Sequence, residues 1–102
     1  MIDIKNVKAG DKLKCYCSKK ATKFALNTYS INGDKIYIAA SAICKAAVHA
    51  GAIGRDGGNV KLKIKKGCKK HSKKKRNGVK SEKYGSYYLS FWFPKTHDGS
   101  CN

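Results

Sequence analysis

Residues 41 to 51, Ser-Ala-Ile-Cys-Lys-Ala-Ala-Val-His-Ala-Gly, constrain the fold more than any other stretch of the chain. Apolar side chains at Ala42, Ile43, Cys44, Ala46, Ala47, Val48 and Ala50 cover most of a helical circumference. Only Ser41, Lys45 and His49, spaced by four, remain as a narrow polar edge. Such a helix has almost no wet face, so it belongs inside. Ser41 is placed to cap the free amides at its start, and Gly51 to close its end in the left-handed conformation. The alanines let neighbouring strands come close to the helix axis. A helix of about three turns is marginal alone, so the remaining residues must wrap around it.

At 102 residues the chain is one domain, long enough to bury about two-thirds of its unfolded surface around a single core. A hydrophobic fraction of 41%, with six Tyr, three Phe and one Trp, argues for a folded chain despite its charge. That charge is extreme: 23 basic residues against six acidic ones give +17. Asp3, Asp11, Asp34, Asp56, Glu82 and Asp98 are too few to neutralise it internally, so a polyanionic partner is expected. No apolar run is long enough to span a membrane, and the first eight residues lack the apolar core of a signal peptide.

The pattern on either side of the central helix is mainly that of strands. The opening residues 1 to 12 mix Ile2, Ile4 and Val7 with charge, and Ala9-Gly-Asp11 signals a turn. Residues 12 to 17 alternate, placing Leu13, Cys15 and Cys17 on one side of a strand. Residues 18 to 23 read as a basic loop, and Phe24 to Ile31 as a second strand. Asn32-Gly-Asp34 then turns the chain into a returning strand, Lys35 to Ile38. After the helix, Gly54 to Gly58 marks a loop. Asn59 to Lys66 alternates Val60, Leu62 and Ile64 against Lys61, Lys63 and Lys65, the pattern of a half-buried strand with a lysine outer face. Residues 65 to 76 form the densest basic run and are expected as a long exposed loop, followed by an Asn77-Gly78 turn. Tyr87 to Phe93 is apolar except at Ser90, as a central strand would be, and Pro94 ends it. The tail from 95 to 102 reads as loose, which leaves a core of about residues 12 to 94.

Several motifs coincide with those of a known family. Tyr37, Ser41-Ala-Ile-Cys44, Ala46-Ala-Val-His-Ala-Gly51, Gly57-Gly58, Arg76-Asn-Gly-Val-Lys-Ser81, Tyr84-Gly85 and Ser90-Phe-Trp-Phe93 occur in the order and spacing of the LCCL domain. That family is named for clotting factor C, cochlin and a late-gestation lung protein, and the chain resembles it across about residues 12 to 94. The resemblance implies an α+β fold in which a central buried helix is wrapped by curved antiparallel β-sheets. It implies structural roles for Ser41, Cys44, His49, Gly51, Asn77, Gly78 and Ser81. It also implies a non-enzymatic module of secreted, multidomain proteins with adhesive or defence roles, binding lipopolysaccharide or another glycan-like ligand. The chain departs from the family pattern in having Cys15-Tyr-Cys17 without a proline, a longer segment before Gly33 and a far more basic run at 65 to 76.

Five cysteines cannot all pair within one chain. By the resemblance, Cys44 is bonded to a cysteine ahead of it, Cys17 by first choice and Cys15 by second, which would stabilise by roughly 3 kcal/mol. Cys68 and Cys101 are left to pair or stay free. In the competing reading Cys15, Cys17, Cys68 and His71 offer four ligands to zinc, although Cys-x-Cys is not the usual knuckle spacing. Cys44 and His49 invite comparison with a nucleophile and its base, but five residues apart on a helix they point in different directions. The expectation is therefore a binding protein with no catalytic residues, cofactor or metal. Its contact residues are Lys61, Lys63, Lys65, Lys66, Lys69, Lys70, Lys73, Lys74, Lys75 and Arg76. Tyr84, Tyr87, Tyr88 and Trp92 lie close by in sequence, with one or two of them expected as surface platforms. Only two of the 23 basic residues are arginines, which favours point-charge contact with phosphate or sulphate over base reading. The ligand is expected to be an anionic glycan or glycolipid in an extracellular setting, within a larger multidomain or multichain assembly. The alternative is a cytosolic protein that binds RNA without sequence specificity, as part of a ribonucleoprotein.

Overall fold

The computed structural model describes residues 7–101; the apolar residues Ile2 and Ile4 of the opening stretch lie outside them. Among the described residues, seven strands and two helices follow in the order β1 (Lys12–Cys17), α1 (Lys19–Thr28), β2 (Gly33–Asp34), β3 (Ile36–Ile38), α2 (Ile43–Ala50), β4 (Gly58–Lys66), β5 (Lys75–Arg76), β6 (Val79–Lys80) and β7 (Leu89–Trp92). Five strands form one antiparallel sheet in the order β1-β4-β7-β3-β2, and β5 with β6 forms a separate hairpin. This is the α+β architecture expected, with β7 in the middle of the sheet.

Helix α2 packs into the core with Ile43, Ala46, Ala47, Val48 and Ala50 buried against Val60, Leu62, Ile64, Phe91 and Phe93. Gly51 ends it at φ 85°, with its N–H turned back to the helix carbonyls, the left-handed closure that glycine adopts without strain. The start of α2 differs from expectation. Ala42 is the capping residue and contributes no side-chain bond, because the Ser41 hydroxyl instead accepts the N–H of Asn32 at 3.0 Å. Nor is the polar edge wet. Ser41 and His49 are buried, and Lys45 donates to the Tyr29 carbonyl.

The largest departure is at residues 18 to 31, where a loop and a strand were expected and a helix stands. Ser18 caps α1, its hydroxyl accepting the Ala21 N–H at 3.0 Å, and Thr22 and Ala25 face inward. Lys19, Lys20 and Ala21 are good helix formers behind a good cap, and that combination prevails over the apolar run that follows. In place of the expected long hairpin, β2 and β3 make a tight one through Lys35, with φ 68°.

Two disulfides staple the fold. Cys17–Cys44 ties the end of β1 to α2 across 27 residues of sequence, and Cys68–Cys101 ties the basic run to the tail. Cys15 is free and half-buried, and burial pushes its thiol pKa up. The four proposed zinc ligands are therefore not together: Cys17 and Cys68 are bonded elsewhere, and the His71 ring is held by Gly85 and Ser90. The tail is not loose either. Besides its disulfide, it receives the Lys65 ammonium at the Gly99 carbonyl, and Gly99 lies against the Trp92 indole.

Candidate anion-binding surface

Strand β4 alternates as its sequence predicts, with Val60, Leu62 and Ile64 buried and Lys61, Lys63 and Lys65 on the outer side. By the same alternation Lys66 takes the inner side, at the end of the strand. Sequence reading did not pair β4 with a partner. The structure pairs it with β1, so that Lys12 stands opposite Lys63 and Lys14 opposite Lys61. Gly10 N–H bonds to the Ile64 carbonyl and Ile64 N–H to the Asp11 carbonyl, a one-residue bulge that fixes the phase of the ladder. Lys12/Lys63 and Lys14/Lys61 then fall at non-hydrogen-bonded positions, where facing side chains are closest. Tyr16, 70% exposed, continues the outer row opposite Asn59. Lys12 and Lys14 were missed, although the placing of Leu13, Cys15 and Cys17 inward already implied that they face out.

The outer face has two halves. Over β7 it is covered: His71 reaches the Ser90 hydroxyl at 2.9 Å and Gly99 lies on Trp92. Over β1 and β4 it presents Lys12, Lys14, Tyr16, Lys61 and Lys63. Along these two strands runs a cleft of about 810 Å³ whose apolar lining includes Leu13, Cys15, Val60, Leu62, Ala52 and Pro94.

The basic run is exposed at Lys69, Lys70, Lys73, Lys74 and Lys75, but it is not the free loop its charge suggests. Cys68 and His71 are buried. His71 pairs by backbone with Tyr84. Its Nδ1–H donates to the Gly85 carbonyl, so Nε2 accepts the Ser90 hydroxyl. Lys75 and Arg76 form β5. The Asn77-Gly78 turn, with φ 53° and 75°, leads into β6, as an Asn-Gly hairpin requires. The run thereby meets Lys80 and Lys83. Lys73, Lys74 and Lys75 share a groove with Lys80, Ser81 and Glu82, and Lys70 and Lys73 share another with Lys83 and Tyr84. Tyr84 and Tyr88 are exposed, and Tyr87 stacks on Tyr88.

Arg76 differs from the other expected contact residues in being paired within the fold. Its guanidinium grips both carboxylate oxygens of Asp34. Burial of Asp34 works against ionisation, but the hydrogen bonds and charge of Arg76, together with nearby groups such as Lys35, hold the carboxyl below its usual range. The remaining motif residues bond within the fold. Asn77 Nδ2 donates to the Val48 and His49 carbonyls at 3.0 Å each, satisfying the end of α2. Ser81 accepts the Lys74 N–H and donates to the Lys74 carbonyl. His49 donates from Nε2 to the Lys74 carbonyl at 2.7 Å, so its Nδ1 accepts the Tyr37 hydroxyl at 2.8 Å. Burial lowers the His49 pKa and raises that of Tyr37, keeping both neutral. With Cys44 in a disulfide and both His49 nitrogens engaged, this pair is not a nucleophile and base.

A small α+β module, stapled by disulfides around a buried helix and cationic over much of its surface, is the class that fold and surface define. The sequence profile of the LCCL domain matches residues 1–91, and the chain belongs to the LCCL domain family. It is 35% identical to cochlin of Bos taurus over 75 residues, which is 74% of this chain and 14% of that protein. Cochlin of Mus musculus is 36% identical over 67 residues, or 66% of this chain and 12% of that protein. Homo sapiens cochlin is 34% identical over 70 residues, or 69% and 13%. The chain thus spans a small fraction of the length of these relatives.

Proposed function

We propose that this LCCL domain is a non-enzymatic binding module for an anionic ligand of the lipopolysaccharide, glycolipid or sulphated-glycan class. The observation that carries the reading concerns charge. Among the described residues, the close contacts between a carboxylate and a basic side chain are Lys19–Asp56, Arg76–Asp34 and His97–Asp98. None of them takes a lysine of residues 61 to 75, so apart from Lys65, whose ammonium is donated to the Gly99 carbonyl, those charges face solvent or a partner. Concentrated cations of one sign repel one another and favour whatever neutralises them. Two disulfides support an extracellular setting over the cytosolic RNA-binding alternative.

The test is retention of the disulfide-intact protein on lipopolysaccharide, heparin and neutral-glycan matrices across a salt gradient. Binding to the charged matrices should fall steeply with salt, because releasing counterions gains less free energy as the bulk salt concentration rises. Equal retention on the neutral matrix would overturn the reading. Unchanged affinity after Lys69, Lys70, Lys73, Lys74 and Lys75 are replaced together by Gln would remove the basic run from the surface.

A further inference from the structure

Four lysines facing one another in pairs on an open sheet is a costly arrangement. Like charges directly opposite on neighbouring strands destabilise a sheet, and here Lys12 faces Lys63 and Lys14 faces Lys61. No described carboxylate bridges them. We propose that this ladder is a binding track for a linear sulphated polysaccharide, with Tyr16 at its end offering a ring face to a sugar. The proposal rests on the anionic-ligand reading above and narrows it to one polymer and one face.

The geometry favours a line of anions over a single one. Side chains on one face of a strand repeat about every 6.7 Å, and the two rows stand about 4.8 Å apart. The lysines therefore lie on a flat stripe, which a polymer carrying repeated sulphates matches along its length. A lone phosphate or sulphate group would engage a small part of it. Tyr16 stands in the same row as Lys12 and Lys14 and is the most exposed large apolar residue among the described residues; such a ring packs well on a flat, partly apolar sugar.

Nucleic acid fits this face less well. Both arginines, which would fork onto phosphates or base edges, are engaged elsewhere: Arg76 with Asp34 and Arg55 with the Asn77 carbonyl. The stripe offers one aromatic ring where single-stranded nucleic acid uses a series. An anionic lipid would draw on the apolar lining of the cleft instead, and the experiment separates that case.

Binding of a fluorescent heparin oligosaccharide would be followed by anisotropy, with unsulphated heparosan, a single-stranded RNA and phosphatidylglycerol vesicles as competitors. Three proteins would be compared: the unaltered chain, K12Q/K14Q/K61Q/K63Q and K69Q/K70Q/K73Q/K75Q. The expected result is preference for heparin over every competitor and loss of at least about tenfold in affinity in the ladder variant. The salt dependence should become shallower by up to about one unit of slope per lysine removed. The ladder variant should melt no lower than the unaltered chain, because repulsion has been relieved, so lost binding would not reflect lost folding. A K12Q/K14Q chain should show an intermediate loss. If the ladder variant keeps its affinity while the other loses it, the track is wrong and the broader reading stands. If RNA or vesicles compete as well as heparin, the polymer class is wrong. If the unaltered chain binds none of these polyanions, both readings fall.

Discussion

Two buried histidines are bonded by the same logic and serve opposite ends. His49 lies in α2, and His71 lies in the middle of the lysine run; each donates to a backbone carbonyl and accepts a hydroxyl proton, from Tyr37 and Ser90 respectively. Each region also has its own disulfide. Around His49 the neighbours are core residues, so the bonds fix the centre of the fold. Around His71 the neighbours in sequence are lysines, so the same bonds fasten a self-repelling segment to the sheet. A fully bonded imidazole serves equally well to build an interior and to hold charge against a surface.

The comparison is broken most directly at the disulfides. Replacing both Cys17 and Cys44 by Ala should cost about 3 kcal/mol in chemical denaturation. The two bridges close similar stretches, 27 and 33 residues, so loop closure alone gives nearly equal losses. We expect C68A/C101A to cost less, because releasing a terminal tail leaves the core intact. Equal losses would show that tail and core unfold together. Next come the histidines: His49→Ala should cost about 2–3 kcal/mol through a cavity and two unmet polar groups, and His71→Ala about 1–2 kcal/mol.

Acid sharpens the contrast further. Because burial lowers the His49 pKa in the folded state, the folded chain binds fewer protons than the unfolded one near that range. The contribution is complete above the ordinary value of about 6.5 and is lost as pH falls toward the depressed folded value. Thermal melts from pH 8 to 5 should show this decline, and a His49→Gln chain should show less of it. The smallest effect belongs to the exposed charges. K69Q/K70Q/K73Q/K75Q should change stability by no more than about 0.5 kcal/mol per site while weakening polyanion binding.

Legibility in the sequence follows the same division. Helix α2 was readable because seven apolar residues and a closing glycine leave no alternative, and β4 because lysines mark its wet side at every second position. Family resemblance, not spacing, pointed to Cys17 as the partner of Cys44. The segment from Ser18 to Thr28 was misread because Phe24 and Leu26 suggested a strand; the cap at Ser18 and the inward spacing of Thr22 and Ala25 were the better signal. Lysine density hid the anchors at Cys68 and His71, since charge reports on the side chains that reach water and says nothing of the few that do not. Arg76 looked like one more surface cation because its partner, Asp34, is 42 residues away in sequence.

The fastening of the lysine run has a consequence for affinity. A free basic loop would lose most of its conformational freedom on meeting a ligand, and that ordering would be charged against every contact it made. Here the Cys68–Cys101 bridge, the His71–Tyr84 pairing and the four hydrogen bonds that His49 and Ser81 make to Lys74 have already ordered the backbone during folding. What remains to be restrained on binding is the flexible ends of the lysine side chains. The entropy of association is thereby moved from the encounter to the folding reaction, where the core and two disulfides offset it.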